Sequence, residues 1–402
     1  MFFGWKIVVV AFVIAFFAFG IGFYSLGIYL VALNARHGWP IAFISLAITV
    51  YYVLGASLTA FVGDAFERFG PCRVVSVAVG ALGLGVLALP LLERPWQLFV
   101  AFGVMAVGWA ATSGAAINTL VAPWFDRKRG LAVSIAMNGA AAGGVVIVPL
   151  WATLIAARGF ATAALVMVGA MMLIVLPLIA RYLHRGPEVM GLRPDGAMAG
   201  LGDPARRPET MPALPRRELL RSIHFWTISA PFALGLLAQV GFITHQVAYL
   251  TPRLGAERAA LTLSLTTLAA IIGRLATGVF IDRVDRRLAC AANLAVQAVA
   301  VVTMIGWPSP SVLYVACALF GLGVGNMTTF PGLVVQVEYP KEHFSRVVSF
   351  VVAINQFTFA FGPGLLGAIR DWSGSYTAAL AVCVGCEVVA AIVIVMGRRR
   401  GP

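Results

Sequence analysis

Within residues 268–287, LAAIIGRLATGVFIDRVDRR, one arginine interrupts an apolar run: Ile271 and Ile272 precede Arg274, and Leu275, Ala276, Val279 and Phe280 follow it. An arginine at the centre of a membrane helix costs roughly 2.5–3.5 kcal/mol on insertion scales, so such a residue calls for a partner or a ligand. Its planar guanidinium can hold a carboxylate through two parallel charge-assisted bonds. The chemistry is anion recognition, with carbonyls of neighbouring helices as the structural alternative. His245, in GFITHQVAYL, is the one histidine well inside an apolar segment. Its titration range suits a proton carrier or a donor to a carboxylate. An interfacial histidine bonded to a carbonyl or to water is the other reading. Glu387, in AVCVGCEVVAA, is the only acid deep in such a segment and is a second candidate for carrying protons.

Neutral polar groups surround these three. Tyr24 and Tyr29, in GFYSLGIYLVALN, and Tyr52 in the next apolar segment present hydroxyls to a substrate or simply bond locally. Tyr29 also fits an interfacial aromatic belt. Asn118, Asn138, Asn326, Asn355 and Gln356 are amides inside apolar segments. They line a cavity or join helices, the latter at about 0.6 kcal/mol per contact.

Long apolar helices must carry these groups. Hydrophobic residues make up 60% of 402 positions and charged residues 11%, against about 25% charged in a soluble domain. The hydropathy runs along the whole chain, which makes it a polytopic membrane protein. At about 20 residues per crossing, twelve spans emerge, numbered helix 1 to helix 12: about 6–33, 41–63, 74–92, 97–122, 130–156, 162–184, 224–250, 259–281, 288–306, 311–335, 345–369 and 375–397. Helix 1 is too long for the core of a signal peptide and reads as a retained span. The five cysteines are odd in number and lie mostly in apolar runs, which indicates neither a disulfide framework nor a zinc site.

Positive charge orients the bundle. With both termini in the cytoplasm, 22 of the 29 Lys and Arg residues fall in the tails and in the loops after even-numbered helices. Arg36, Arg94, Arg158, Arg253, Arg258 and Arg370 fall on the other side, and Arg274 within the membrane. This distribution accounts for the net charge of +13 without nucleic acid and implies a bacterial inner membrane. Residues 185–223, rich in Pro, Gly and Arg, read as a cytoplasmic linker between two six-helix bundles at 1–184 and 224–402.

An internal repeat supports that division. GDAFERFGPCR (63–73) follows helix 2 and GVFIDRVDRR (278–287) follows helix 8, and their leading glycines lie 215 positions apart. Each reads Gly, three residues, an acid, Arg, one residue, then Gly or Asp. Duplicated six-helix units are the mark of one transporter architecture.

The two loops resemble the signature loop of the major facilitator superfamily, with Glu67 where aspartate is usual and Asp285 where glycine is usual. WFDRKRGLAVSIAMNGAAAGG (124–144) resembles the helix 4–5 signature of the monocarboxylate transporter and oxalate/formate antiporter branch, with Ser134 in place of a glycine. The resemblance implies an all-α membrane protein of twelve transmembrane helices in two pseudo-symmetric six-helix bundles. It implies a substrate-binding role for Arg274 on helix 8. It also implies that Asp64, Glu67, Arg68 and Arg73 in one loop, and Asp282, Arg283 and Arg286 in the other, form cytoplasmic charge clusters that latch the outward-open state.

Departures narrow the substrate. The animal symporters carry an aspartate one turn before the arginine, where this chain has Ala270, and a lysine inside helix 1, where it has only Lys6 at the start. Oxalate exchangers carry a lysine on helix 11, where AINQF stands. One buried cation suits one carboxylate.

No enzyme motif is present, neither a Walker loop nor H-E-x-x-H. The expected function is secondary active transport of a small organic anion, a monocarboxylate, by alternating access. Arg274 would anchor the carboxylate and an apolar, aromatic surround would take an acyl or aryl tail. Proton symport and anion exchange are the two coupling schemes. The chain is expected to act as a monomer in the lipid bilayer, without cofactor. The alternative is a proton-coupled exporter of amphipathic compounds such as drugs or siderophores. Such exporters usually carry acids in the first-half helices, and none lies inside helices 1–6 here.

Overall fold

The structure, a computed structural model, describes residues 2–184, 187, 190, 194–196 and 216–398. Those residues form helices and no strand. Among the described residues, ten helices are long and apolar enough to span a membrane. One of these, Arg129–Tyr182, is two spans joined at Gly159, whose φ of 78° turns the chain, and the shorter Pro310–Val324 completes the twelve. The linker expected over 185–223 lies largely outside the described residues, and Arg216–Arg221 at its end is helical.

The described residues group into two compact units, one within Met1–Pro204 with Leu250–Ser264, the other within Ala205–Tyr249 with Leu265–Pro402. In the first, helix 1 packs along helix 5. The glycines of NGAAAGG permit it: a Cβ at Gly139 would collide with the Phe12 carbonyl, and one at Gly143 with the Phe16 carbonyl. Without a hydrophobic driving force between helices, such close packing supplies much of the association energy. Gly143→Val is therefore expected to destabilise the purified protein by about 1–3 kcal/mol, read as a lower melting temperature, while Gly130→Val, with open space at its Cβ, leaves it unchanged.

In the second unit a buried cluster joins helices 7, 9, 10, 11 and 12 through Phe225, Phe232, Leu294, Phe330, Val351 and Ile394. All five cysteines are free thiols, including Cys383 and Cys386, which stand at C-x-x-C spacing within helix 12.

Several spans that hydropathy reads as continuous are interrupted. Helix 1 runs Phe3–Phe19, then a π-helical turn Gly20–Tyr24, then Leu26–His37. Helix 4 is Pro95–Ala110 and Gly114–Val121, and helix 10 is Pro310–Val324 and Phe330–Glu338. Helix 11 breaks between Phe359 and Gly362, at the start of the Gly-Pro-Gly of residues 362–364.

Candidate functional site

Arg274 owes its setting to glycine. Helices 8 and 10 approach so closely that a Cβ at Gly273 would collide with the Leu322 carbonyl and one at Gly321 with the Thr266 carbonyl. Beside this contact helix 10 unwinds over Gly325–Thr329. The half-buried Arg274 donates from Nε to the Gly325 carbonyl at 3.0 Å, and Thr328 Oγ1 donates to the same oxygen at 3.2 Å. Asn326 donates from Nδ2 to Asn293 Oδ1 at 3.0 Å and to the Leu322 carbonyl at 3.2 Å, while Asn293 Nδ2 donates to the Gly323 carbonyl at 3.2 Å. Side chains thus satisfy carbonyls that the break frees, as a non-helical stretch at membrane depth requires. Asn293 was not among the residues legible from sequence.

Helix 4 unwinds at Ala111–Ser113 in the first unit. Adding the 215-residue offset of the signature loops places that break at 326–328, inside the helix 10 break. Interrupted helices at corresponding places in two repeats are a pointer to the binding site of a transporter.

His245 is fully buried, with Nε2 2.9 Å from the Pro363 carbonyl and Nδ1 3.1 Å from the Tyr376 hydroxyl. A carbonyl only accepts, so Nε2 carries a proton, and in the neutral ring Tyr376 then donates to Nδ1. The ring thereby ties helix 7 to the Gly-Pro-Gly of helix 11 and to the start of helix 12. Glu387 is fully buried, and neither of its carboxyl oxygens has a hydrogen-bond partner among the described residues.

The tyrosines divide. Tyr29 is buried and donates to the Ile21 carbonyl at 3.0 Å. Tyr24 packs edge-on against Phe23 at 5.0 Å, and Tyr52 lies 5.9 Å from Phe23 and 6.4 Å from Trp109. Asn355 is buried with Oδ1 unpartnered among the described residues, Gln356 and Asn138 are half-buried, and Asn118 is exposed on the second segment of helix 4.

In the second signature loop Arg286 pairs with Asp282 at 3.4 Å and donates to Gln336 Oε1 at 3.2 Å and to the Leu333 carbonyl. Arg283 is exposed. In the first loop Asp64, Glu67, Arg68 and Arg73 are exposed and form no ion pair among the described residues; Arg68 lies over the Phe69 ring. Asp285, the substitute for glycine, caps helix 9 by accepting from the Arg287 and Leu288 N–H groups, and binds Arg398 Nε at 2.7 Å. Burial alone pushes its carboxyl up, but those N–H groups and the Arg398 guanidinium outweigh it and hold it below the ordinary aspartate range. A depressed carboxyl contributes stability above its unfolded-state pKa and loses it as pH falls through the folded value. Asp285→Asn is expected to lower the melting temperature at neutral pH, with the gap to the unsubstituted protein closing as pH falls below about 4.

The strongest charge cluster is one the loops do not announce. Arg287, 2% exposed, holds Glu338 at the end of helix 10 through Nε–Oε1 at 2.6 Å and Nη2–Oε2 at 2.8 Å, with His224 Nε2 3.1 Å from Oε2. Only the position of Arg287 directly after Arg286, and an acid closing helix 10, hinted at it.

The family model described as Major Facilitator Superfamily matches residues 12–363 and 259–402. The chain belongs to the major facilitator superfamily and is a multi-pass membrane transporter of a small-molecule substrate, not an enzyme. It is 28% identical over 345 residues to monocarboxylate transporter 11 of Mus musculus, covering 80% of this chain and 71% of the relative. It is 22% identical over 309 residues to the uncharacterized MFS-type transporter YhjX of Escherichia coli (strain K12), covering 75% and 73%. Its fold is similar to a crystal structure of the nucleoside transporter NupG, with a TM-score of 0.73, 12% identity, and 99% of each chain covered.

Proposed function

We propose that this transporter moves a small organic anion, a monocarboxylate, across the bacterial inner membrane by alternating access, as a proton symporter or an anion exchanger. Both termini lie in the cytoplasm and the monomer is the working unit. The observation that carries the reading is Arg274. Its Nε donates to the Gly325 carbonyl at the helix 10 break, and a planar guanidinium at this position is a group suited to hold a carboxylate in bidentate fashion. The likeness to a relative that bears the name monocarboxylate transporter supports it. The Asp282 and Arg286 pair serves as a cytoplasmic latch of the second unit.

A thermal-shift screen of the purified protein against mono- and dicarboxylates tests the proposal, since a ligand that binds only the folded state raises its stability. A monocarboxylate is expected to stabilise the unsubstituted protein and not Arg274→Gln. Stabilisation by bulky neutral or cationic compounds alone would favour the exporter of amphipathic compounds instead.

A further inference from the structure

Among the described residues, two side chains that exchange a proton near neutral or acid pH lie fully buried within the spans of the second unit, His245 on helix 7 and Glu387 on helix 12. Glu387 sits in the middle of an uninterrupted helix, Tyr376–Met396, where its protonation has no break to act on. His245 is placed otherwise. Its Nε2 proton goes to the carbonyl of Pro363, two residues past the break of helix 11 at 360–361. Pro363 has no N–H to return to residue 359, so this turn lacks one of its backbone bonds. The segment Gly362–Ser373 therefore meets the rest of helix 11 at a joint, and His245 holds that segment to helix 7.

The joint has its pivot beside this tie. Helices 7 and 11 touch at Gly241 and Gly362, where a Cβ on Gly362 would collide with the Leu237 carbonyl. Gly241 and His245, four residues apart, share a face of helix 7. At the start of helix 12 the half-buried Tyr376 meets His245 Nδ1 at 3.1 Å. Arg370 lies over the Tyr376 ring at 5.8 Å and pairs with Asp371 at 2.7 Å; these are the charged groups of helix 11 that act on the histidine. On its own helix Tyr249 follows one turn later, with its hydroxyl donated to the Met304 carbonyl of helix 9 at 2.9 Å. Contacts thus lead from a fully buried ring, through one hydroxyl, to an ion pair at the partly exposed end of helix 11.

We propose that His245 is the proton-binding site of this transporter and that its protonation releases the Gly362–Ser373 segment, which makes the coupling proton symport. This rests on the anion reading of Arg274. An imidazole makes one in-plane bond per nitrogen, and here a carbonyl and a hydroxyl, both neutral, take the two. In the cation both nitrogens donate, so Tyr376 must turn its hydroxyl from donor to acceptor while a positive charge stands in a buried site. Burying a charge is costly. Both costs fall when the segment swings off the ring about its joint and admits water. The proton therefore favours the swung state, and a ligand that prefers one state shifts the equilibrium towards it. One bond forms, Nδ1–H, with its proton taken from water; nothing is oxidised or reduced.

The next residue carries the change towards the anion site. Gln246 Nε2 donates to Thr266 Oγ1 of helix 8 at 3.0 Å, about two turns before Arg274, and Thr266 Oγ1 donates to the Cys317 carbonyl of helix 10 at 3.1 Å. A new positive charge in the same unit also favours an anion there, so proton and carboxylate bind together.

Calorimetric titration of the purified full-length protein with acetate and with phenylacetate, each in two buffers of different ionisation enthalpy, tests it. Binding is expected to draw up to about one proton per anion, and affinity to rise by up to about tenfold per unit fall in pH, because linkage is reciprocal. His245→Gln keeps a donor for Pro363 and an acceptor for Tyr376 but takes no proton. It is expected to bind the acid without proton uptake and with an affinity flat in pH. Tyr376→Phe leaves the histidine in place should the first substitution impair folding. It removes the acceptor of the Nδ1–H bond, and charge-assisted bonds are the stronger ones, so proton uptake moves to more acid pH. If His245→Gln takes up as many protons as the unsubstituted protein, or the unsubstituted protein binds the acid and takes up none, the coupling site is refuted and the anion reading stands. The same holds if His245→Gln does not fold and Tyr376→Phe leaves the uptake unmoved. If neither acid binds the unsubstituted protein, the anion reading fails and takes the coupling site with it.

Discussion

Replacing Arg274 with lysine or glutamine is expected to reduce monocarboxylate transport into proteoliposomes at least about a hundredfold without lowering the melting temperature of the unliganded protein. Two physical arguments set these expectations. Hydrogen bonds to charged groups contribute about 1.5–3 kcal/mol each, so losing a two-bond fork removes roughly two orders of magnitude in affinity or more. Lysine keeps the charge but not the planar fork, which makes it a poor substitute at a bidentate site. Stability runs the other way. The Gly325 carbonyl that Arg274 serves also accepts from Thr328 Oγ1 at 3.2 Å, so that carbonyl keeps a donor when the guanidinium is gone. Glutamine also relieves the cost of roughly 2.5–3.5 kcal/mol that a cation imposes on a membrane helix. A framework arginine would behave oppositely, with a large fall in melting temperature and a modest effect on transport. The two readouts together decide whether Arg274 holds substrate or structure.

Hydropathy and charge made the twelve spans, the repeat and Arg274 legible, because each depends on local composition or on a fixed spacing. The helix breaks were less accessible. Neither break contains a proline; small and polar residues, Thr112 and Ser113 in one and Gly325, Asn326, Thr328 and Thr329 in the other, interrupt the apolar runs, and their side chains supply partners for freed carbonyls. Asn326 was visible as an amide in an apolar run; its partner Asn293 lies 33 residues away, on a different helix. The π-helical turn of helix 1 was hidden for a related reason. Ser25, Tyr29 and Tyr51 cap its carbonyls, and only the fold brings Tyr51, 29 residues from Gly22, to its place. Tyr24, Tyr29 and Tyr52 look alike by depth in the membrane, yet one hydroxyl is bonded into the helix 1 turn while the other two rings join the cluster around Phe23. Sequence places a residue at a height; which neighbour it meets at that height is a property of packing.

Glu338→Gln is expected to lower the melting temperature of the purified protein by on the order of 10 °C, the counterpart of about 3–5 kcal/mol for an ion left without its partner. Arg287 is almost completely buried, and each of its five N–H donors is matched by one bond: two to Glu338, one to Thr227 Oγ1, and one each to the carbonyls of Thr227 and Ile394. The carbonyl bonds have a backbone cause. Pro231, four residues after Thr227, has no N–H to donate, and Ile394 lies in the last turn of helix 12, where carbonyls lack intrahelical partners. The guanidinium therefore joins helices 7, 9, 10 and 12 through one planar group, a task that lysine, with three donors on a point charge, cannot fill. A double-mutant cycle separates the ion pair from the carbonyl caps. Arg287→Met with Glu338→Leu is expected to be more stable than the sum of the single losses implies, because neither charge is stranded. It should still melt below the unsubstituted protein, because the Thr227 and Ile394 carbonyls lose their donor. A double variant as stable as the unsubstituted protein would show that the caps contribute nothing and that the cluster is an ion pair alone. A double variant no better than the sum would show that Arg287 acts through the backbone carbonyls and that Glu338 is its spectator.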